Sequence, residues 1–393
     1  MPFLARGAYT GDDRATRLAG VALVWNVFRH FYPYFDVVDV DWMAELPRVL
    51  SSAATDADGL AFLATLRRLV AALDDGHGGV IHPAVRPSHQ PPILWAWIED
   101  RLVITATGRG ATGVRPGDVV LRINGRPVAE VLAEQEALTG AATPQYRRYA
   151  ALQWLLYGRA GSKLELELEG SGTGPRNVVL RRTLIAGSLD EPRPEPVAEL
   201  RPGIMYVDLR RFDGEAFRAA LPRLAAANGL IFDLRGYPRA DVTPVLQHLT
   251  TTPITSVQWH IPIVTRPDGE VSVTARSNWN LPPLTPHLSA RRVFLTDASA
   301  ISYAESIMGI VEHYRLAEII GGPTAGTNGN TNPFTLPGGY RVNWTGMRVL
   351  KHDGSRHHGI GIQPTIPVSR TIAGVAAGRD EVLERAIAFL EGR

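Results

Sequence analysis

Between Asp12 and Asp75 apolar residues return every three to four positions, at Leu18, Val21, Val24, Trp25, Val27, Phe28 and Phe31, which predicts an amphipathic helix. Pro33 ends it, because proline lacks an N–H and its ring clashes with the preceding turn. Helical periodicity resumes over 42–51 and 59–73, ahead of the Gly-rich turn Asp74-Asp75-Gly76-His77-Gly78-Gly79. The aromatic group Trp25, Phe28, Phe31, Tyr32, Tyr34 and Phe35 has helical spacing and reads as core and subdomain contact. From Pro91 to Leu184 the period shortens to that of strands, at 93–98, 102–106, 119–123, 163–168 and 178–181. Within this stretch Pro116-Gly117-Asp118 predicts a turn, and Asn124-Gly125 predicts a tight hairpin, since that pair tolerates positive φ. A small all-β module is the economical expectation.

The Pro/Glu-rich segment 190–196 can neither continue a helix nor pair readily as a strand, so it reads as a linker. Beyond Pro202 the two periods alternate: strand 203–208, helix 214–228, strand 229–234, helix 241–250, strand 293–296, helix 302–313, strand 317–320. That alternation predicts an α/β sandwich with a largely parallel sheet, in which ligands sit at the carboxyl ends of the strands. The expected organisation is a helical subdomain over 1–90, a β domain over 91–188, a linker over 189–201 and an α/β domain over 202–393.

Composition narrows the chemistry. The 393 residues contain 41 Lys+Arg against 39 Asp+Glu, a formal charge of +2, with the charges interspersed, so nucleic acid is not an expected partner. The absence of cysteine removes disulfides, thiol catalysis and Cys-based metal sites. No apolar run is long enough to span a bilayer. The opening Met1-Pro2-Phe3-Leu4-Ala5-Arg6 lacks the basic-then-apolar pattern of an export leader; the expectation leaves the compartment open, cytoplasmic or, with a trimmed leader, extracytoplasmic.

Two strand ends in the α/β domain carry candidate chemistry. Ile231-Phe232-Asp233-Leu234-Arg235-Gly236 runs from a buried strand into a glycine whose amide is unobstructed. Val293 to Ser306 runs from a strand into a helix, and a serine at that junction meets free N–H groups and the positive helix end, a setting that favours an oxyanion. Ser302 is the candidate; Ser299 competes as a helix cap and Ser306 should lie inside the helix. His357-His358 is not a metal pair on this reading, since no third ligand has suitable spacing, and a solvated turn rim beside Asp353-Gly354 is expected.

Five segments, in order, resemble the S41 peptidase family, which comprises tail-specific or C-terminal-processing proteases, the tricorn core protease and retinoid-binding-protein-like relatives. They are Asp75-Gly76-His77, the stretch 113–128, Ile231 to Gly236, Ser302-Tyr303-Ala304-Glu305, and 319–326 with Gly361-Ile362-Gln363-Pro364. The resemblance implies a ClpP/crotonase-like α/β sandwich, a PDZ-like β domain and a serine peptidase acting on peptide or unfolded protein, without metal or cofactor. It implies Ser302 as nucleophile, the Gly236 and Tyr303 amides as oxyanion donors, and Glu305 as support one helical turn on. Thr327 stands where the processing proteases carry a lysine base, so the implied base is the His77 of a tricorn-like branch, with His82 as its competitor. Gly76 and, approximately, His358 stand where that branch has Ser and Glu, which leaves Asp74, Asp75 and Glu305 open as partners of His77. No Gly-Leu-Gly-Phe-like loop is visible in the PDZ-like stretch, so it reads as a structural spacer. The competing functions are non-hydrolytic ligand or peptide binding on the same fold, and a serine esterase or peptide-tailoring enzyme.

Overall fold

The computed structural model describes residues 9–85, 87–170, 172, 174–266 and 273–393; the opening residues 1–8 read above lie outside it. A six-stranded sheet organises the C-terminal half. Its order is Val197–Arg201, Ile204–Asp208, Gly229–Asp233, Arg291–Thr296, Glu318–Gly321 and Ile366–Pro367, parallel apart from the first strand. Strands buried on both faces need continuous apolar runs, and Ile204–Asp208 and Gly229–Asp233 are buried at every position. One face, with Met205, Val207, Phe232 and Phe294, packs on the helices Gly214–Ala225, Thr243–Gln247 and Tyr303–His313. The other, with Tyr206, Ile231, Val293 and Leu295, packs on Glu381–Leu390. The sheet begins at Val197, so the last five residues of the expected 189–201 linker form its antiparallel edge strand.

The helices Arg14–Phe31, Trp42–Thr55 and Gly59–Ala71 form the N-terminal subdomain. Their core of Val24, Phe28, Phe62 and Leu66 closes over Leu336, Tyr340, Val342 and Trp344, residues contributed by the C-terminal half. Of the aromatic group, Trp25, Phe28, Tyr32 and Tyr34 are buried there, whereas Phe31 faces solvent. The strand Gly79–Ile81 then pairs antiparallel with Arg341–Thr345, Gly79 opposite Asn343. This pairing carries the Asp75-Gly76-His77 turn, distant in sequence, onto the α/β domain.

The middle domain is a sheet of Ile93–Ile98, Arg101–Thr107, Val119–Ile123, Lys163–Glu169 and Arg176–Arg181, with a hairpin at Asn124 and Gly125, both at positive φ. It is not all-β: helices Val128–Glu136 and Pro144–Leu156 close one side of its core through Leu132, Ala151, Leu152 and Leu156. Thr143 caps the second helix by accepting the Tyr146 N–H, and Pro144 occupies the first turn, a start signal present in the sequence. The start of this helix docks on the α/β domain, where Thr143 Oγ1 donates to the Ala325 carbonyl at 2.8 Å and Gln145 Nε2 to that of Thr324 at 2.9 Å.

Candidate active site

The strands Gly229–Asp233 and Arg291–Thr296 are neighbours, with Asp233 opposite Leu295, so their carboxyl ends open side by side. From the second, the chain turns through 297–302 into the helix Tyr303–His313. Ser302 sits at that turn with φ 59° and ψ −114°, a strained backbone for a residue with a Cβ. It is the helix's cap position, yet its side chain makes no capping bond. The neighbouring serines are engaged: Ser299 Oγ donates to Asp297, and Ser306, buried inside the helix, bonds the Asn328 side chain at 3.1 Å. Among the described residues, Ser302 Oγ has no protein hydrogen-bond partner. A sharp strand-to-helix turn that lifts an unengaged hydroxyl is the geometry of an exposed nucleophile.

Two backbone N–H groups stand at these adjacent strand ends. The Tyr303 N–H, first in the helix, and the Gly236 N–H, past the neighbouring strand, both lack an acceptor among the described residues. Gly236 is at φ 119°, and a Cβ there would come within 2.6 Å of Arg210 Cδ, so only glycine fits. The two segments are tied together: the Tyr303 hydroxyl donates to Asp241 Oδ1 and accepts the Val242 N–H, each at 2.9 Å.

His77 is partly buried, and its backbone N–H donates to Asp75 Oδ1 at 3.0 Å. Its Nδ1 lies 2.9 Å from Thr345 Oγ1. The Thr345 hydroxyl in turn donates to Asp75 Oδ1 at 2.6 Å, while the Thr345 N–H donates to Asp75 Oδ2, also at 2.6 Å. Asp75 is fully buried and accepts all three of these bonds. The one Thr345 proton is therefore committed to a carboxylate, and Thr345 Oγ1 must accept from His77 Nδ1–H. In a neutral ring this leaves Nε2 bare, the form that accepts a proton. Desolvation pushes the His77 pKa below its ordinary value, opposed by the charges of Asp75 and Glu305. Asp74 instead pairs with Arg147 at 2.5 Å. His82 Nε2 faces the Gly338 carbonyl at 2.9 Å, and its Nδ1 accepts the Ala84 N–H.

Thr327 joins the serine and histidine segments: its carbonyl accepts the Ser302 N–H at 2.9 Å, and its Oγ1 accepts the Gly76 N–H at 3.0 Å. Glu305, fully buried, holds the loop that carries Thr327, accepting from Thr324 Oγ1 at 2.5 Å, the Gly326 N–H at 2.7 Å and the Thr327 N–H at 2.8 Å. It touches the loop rather than the His77 ring. No hydrogen bond joins Ser302 Oγ to His77 Nε2 among the described residues.

The His357-His358 pair is not at a solvated rim. Both are buried; His357 Nε2 lies 3.4 Å from Glu305 Oε1, and the His358 ring stacks on Tyr34 with centroids 3.9 Å apart. The turn folds back so that His357 O accepts the Ile360 and Gly361 N–H groups, and a Cβ at Gly361 would meet Thr324 Oγ1 and Glu305 Oε1. Among the described residues, no group of three or more His, Asp or Glu side chains is arranged to hold a metal ion. Sequence reasoning missed Thr345 and gave Thr327 no role; neither has a local signature.

No curated protein matches the sequence. The chain is similar in structure to mature CPAF, at 15% identity and a TM-score of 0.76 over 96% of this chain and 97% of that one. It is similar to mature CPAF complexed with lactacystin at 15% identity and a TM-score of 0.77, over 96% and 98%. The photosystem II D1 C-terminal processing protease is more distant, at 17% identity and a TM-score of 0.52 over 93% and 98%. At these identities the likeness speaks for the fold. Residues 203–368, which span the six-stranded sheet from its second strand and carry Gly236, Ser302 and Thr327, match the model of peptidase family S41.

Proposed function

We propose that the chain is a serine peptidase in which Ser302 attacks the substrate carbonyl, His77 is the base, and the Gly236 and Tyr303 amides hold the oxyanion. The observation that carries this reading is the strained, unengaged Ser302 at the start of its helix, with the Tyr303 and Gly236 N–H groups at the same pair of strand ends left without acceptors among the described residues. His77 Nε2 takes the hydroxyl proton as Oγ bonds to the carbonyl carbon, and the negative oxygen is met by the two amides and the positive end of the helix. Collapse of the tetrahedral species expels the amine, which leaves with the proton from His77. Water, deprotonated by the same nitrogen, then releases the acyl group and restores Ser302. Asp75, through Thr345, keeps His77 Nδ1 protonated, and Glu305 holds the loop on which both segments are hung.

The substrate class is extended peptide or unfolded protein, cleaved internally or trimmed at its carboxyl end. The strand Thr331–Thr335 supports this, since it is the outer strand of the 79–81, 341–345, 331–335 sheet and is largely exposed, so it offers an edge for an added strand. The α/β domain is read as ClpP/crotonase-like and the middle domain as PDZ-like, acting as a spacer whose helix Pro144–Leu156 buttresses the site. A non-hydrolytic binding protein is the second reading, favoured by the missing Ser302–His77 bond, although such bonds often tighten only with substrate. Hydrolysis of an unfolded protein by the wild type and its loss in Ser302→Ala support the first reading; turnover that survives in Ser302→Ala overturns it.

A further inference from the structure

The segment 190–196 is strapped across the carboxyl ends of Ile204–Asp208 and Gly229–Asp233 by three arginines. Arg210 pairs with Asp190 at 2.5 Å, Arg211 donates to the Pro194 carbonyl, and Arg193 reaches down between the strands. There Arg193 Nη1 lies 3.5 Å from Asp233 Oδ1 and 3.6 Å from Asp208 Oδ2, both carboxylates fully buried, while its Nη2 donates to the Arg235 carbonyl at 2.8 Å.

That carbonyl belongs to the peptide unit whose N–H is that of Gly236. A peptide unit is planar, and in the trans form its C=O and N–H point in opposite directions. A donor fixed on the Arg235 oxygen therefore fixes the direction of the Gly236 N–H. The glycine makes such a clamp necessary. Turning the 235–236 plane over would move the Gly236 φ from 119° to the mirror side, which a residue without Cβ tolerates at little cost. A charged donor on the oxygen also polarises the peptide and strengthens its N–H as a donor.

We propose that Arg193 is a positioning residue for the oxyanion site: from the segment joining the middle and α/β domains, it holds the 235–236 peptide with the Gly236 N–H turned toward the reacting carbonyl. This rests on the assignment of Gly236 as an oxyanion donor. It also makes the interdomain segment part of the active site, so that a shift of 190–196 is transmitted to the Gly236 amide.

The test compares Arg193→Met, which removes the donor and the charge, with Arg193→Lys, which keeps a cation for Asp208 and Asp233 but lacks the fork that serves carboxylates and carbonyl together. Asp380→Asn is the control, because Asp380 binds the far side of Arg235 and leaves the 235 carbonyl untouched. Crystal structures read the 235–236 plane directly, and kinetics on a peptide substrate read the consequence. The expected result for Arg193→Lys, and for Arg193→Met if it folds, is a turned peptide plane and kcat lowered about ten- to a hundredfold at nearly constant KM. That is somewhat less than the loss of a whole oxyanion donor, about 10²–10³. Affinity for a peptide aldehyde should fall in parallel, and Asp380→Asn should lose thermal stability while kcat holds. A plane that stays in place in both Arg193 variants, or one that turns in an active enzyme without loss of kcat, overturns the proposal. Because the plane is read by crystallography, a wild type that hydrolyses nothing would refute the peptidase reading while the clamp itself is still decided.

Discussion

His77 and Thr345 are joined ring to hydroxyl at 2.9 Å, and because the Thr345 proton goes to Asp75, the histidine can only donate from Nδ1. The tautomer of the proposed base is thus set by a threonine on a strand of the other half of the chain.

Removing that hydroxyl should cost activity without removing the base. Thr345→Val keeps the shape but leaves His77 Nδ1–H and Asp75 Oδ1 without their intermediary, so kcat/KM should fall about tenfold to a hundredfold, while Thr345→Ser should retain most of it. Steady-state assays of both variants check this, with thermal unfolding as a control for the buried carboxylate.

The pH profile follows from the burial of His77. Its pKa is lowered by desolvation more than the charges of Asp75 and Glu305 restore it. A base must be neutral to accept a proton, so the acid limb of kcat/KM should titrate below the ordinary histidine value of about 6.5, and activity should persist into mildly acidic buffer. Measured kcat/KM from about pH 4.5 to 8 reads this limb; a midpoint above about 7 would remove His77 as its source.

Ser302 holds its backbone at φ 59° and ψ −114°, a conformation that costs an L-residue about 1–3 kcal/mol. Ser302→Gly relieves that cost and Ser302→Ala does not. Both should be inactive, with the glycine variant the more stable by about 1 kcal/mol in urea unfolding.

Much of the fold was legible because burial follows the local period. Ile93–Ile98 and Val119–Ile123 form as their residue types predict, and the junction that puts Ser302 before a helix could be read from apolar runs alone. The helix Pro144–Leu156 escaped because few of its positions are buried, at Ala151, Leu152 and Leu156, which leaves a weak stripe; its Thr143-Pro144 start was the available signal. Ser302 and Gly236 of the proposed site could be singled out because the chemistry proposed for them depends on the local turn. The partners of His77 were not, since Thr345 stands 270 residues from Asp75 and nothing in its neighbourhood marks it. His357 and His358 were misread for a related reason: the closeness of Glu305 and Tyr34, which buries them, is tertiary.

The buried carboxylate beneath the Gly236 strand end predicts acid sensitivity. Burial by itself raises the Asp233 pKa, but the guanidiniums of Arg235 and Arg193 outweigh it and hold the group well below the ordinary carboxylate range. The folded value lies below the unfolded one, so the stabilisation is complete above the unfolded pKa of about 4 and is lost as pH falls from there toward the folded value. Asp233→Asn should lower stability at neutral pH by about 3 kcal/mol, because it leaves buried arginines short of a counter-charge, and should flatten the loss of stability below about pH 4. Urea unfolding across pH measures both.

The central claim is that Ser302 is an armed nucleophile. Intact-mass and peptide-level mass spectrometry after treatment with a fluorophosphonate tests it most directly. The account predicts one adduct per wild-type chain, located on Ser302, absent in Ser302→Ala and strongly slowed in His77→Ala. A folded wild type that takes no adduct, or one whose adduct sits on another serine and persists in Ser302→Ala, would contradict it.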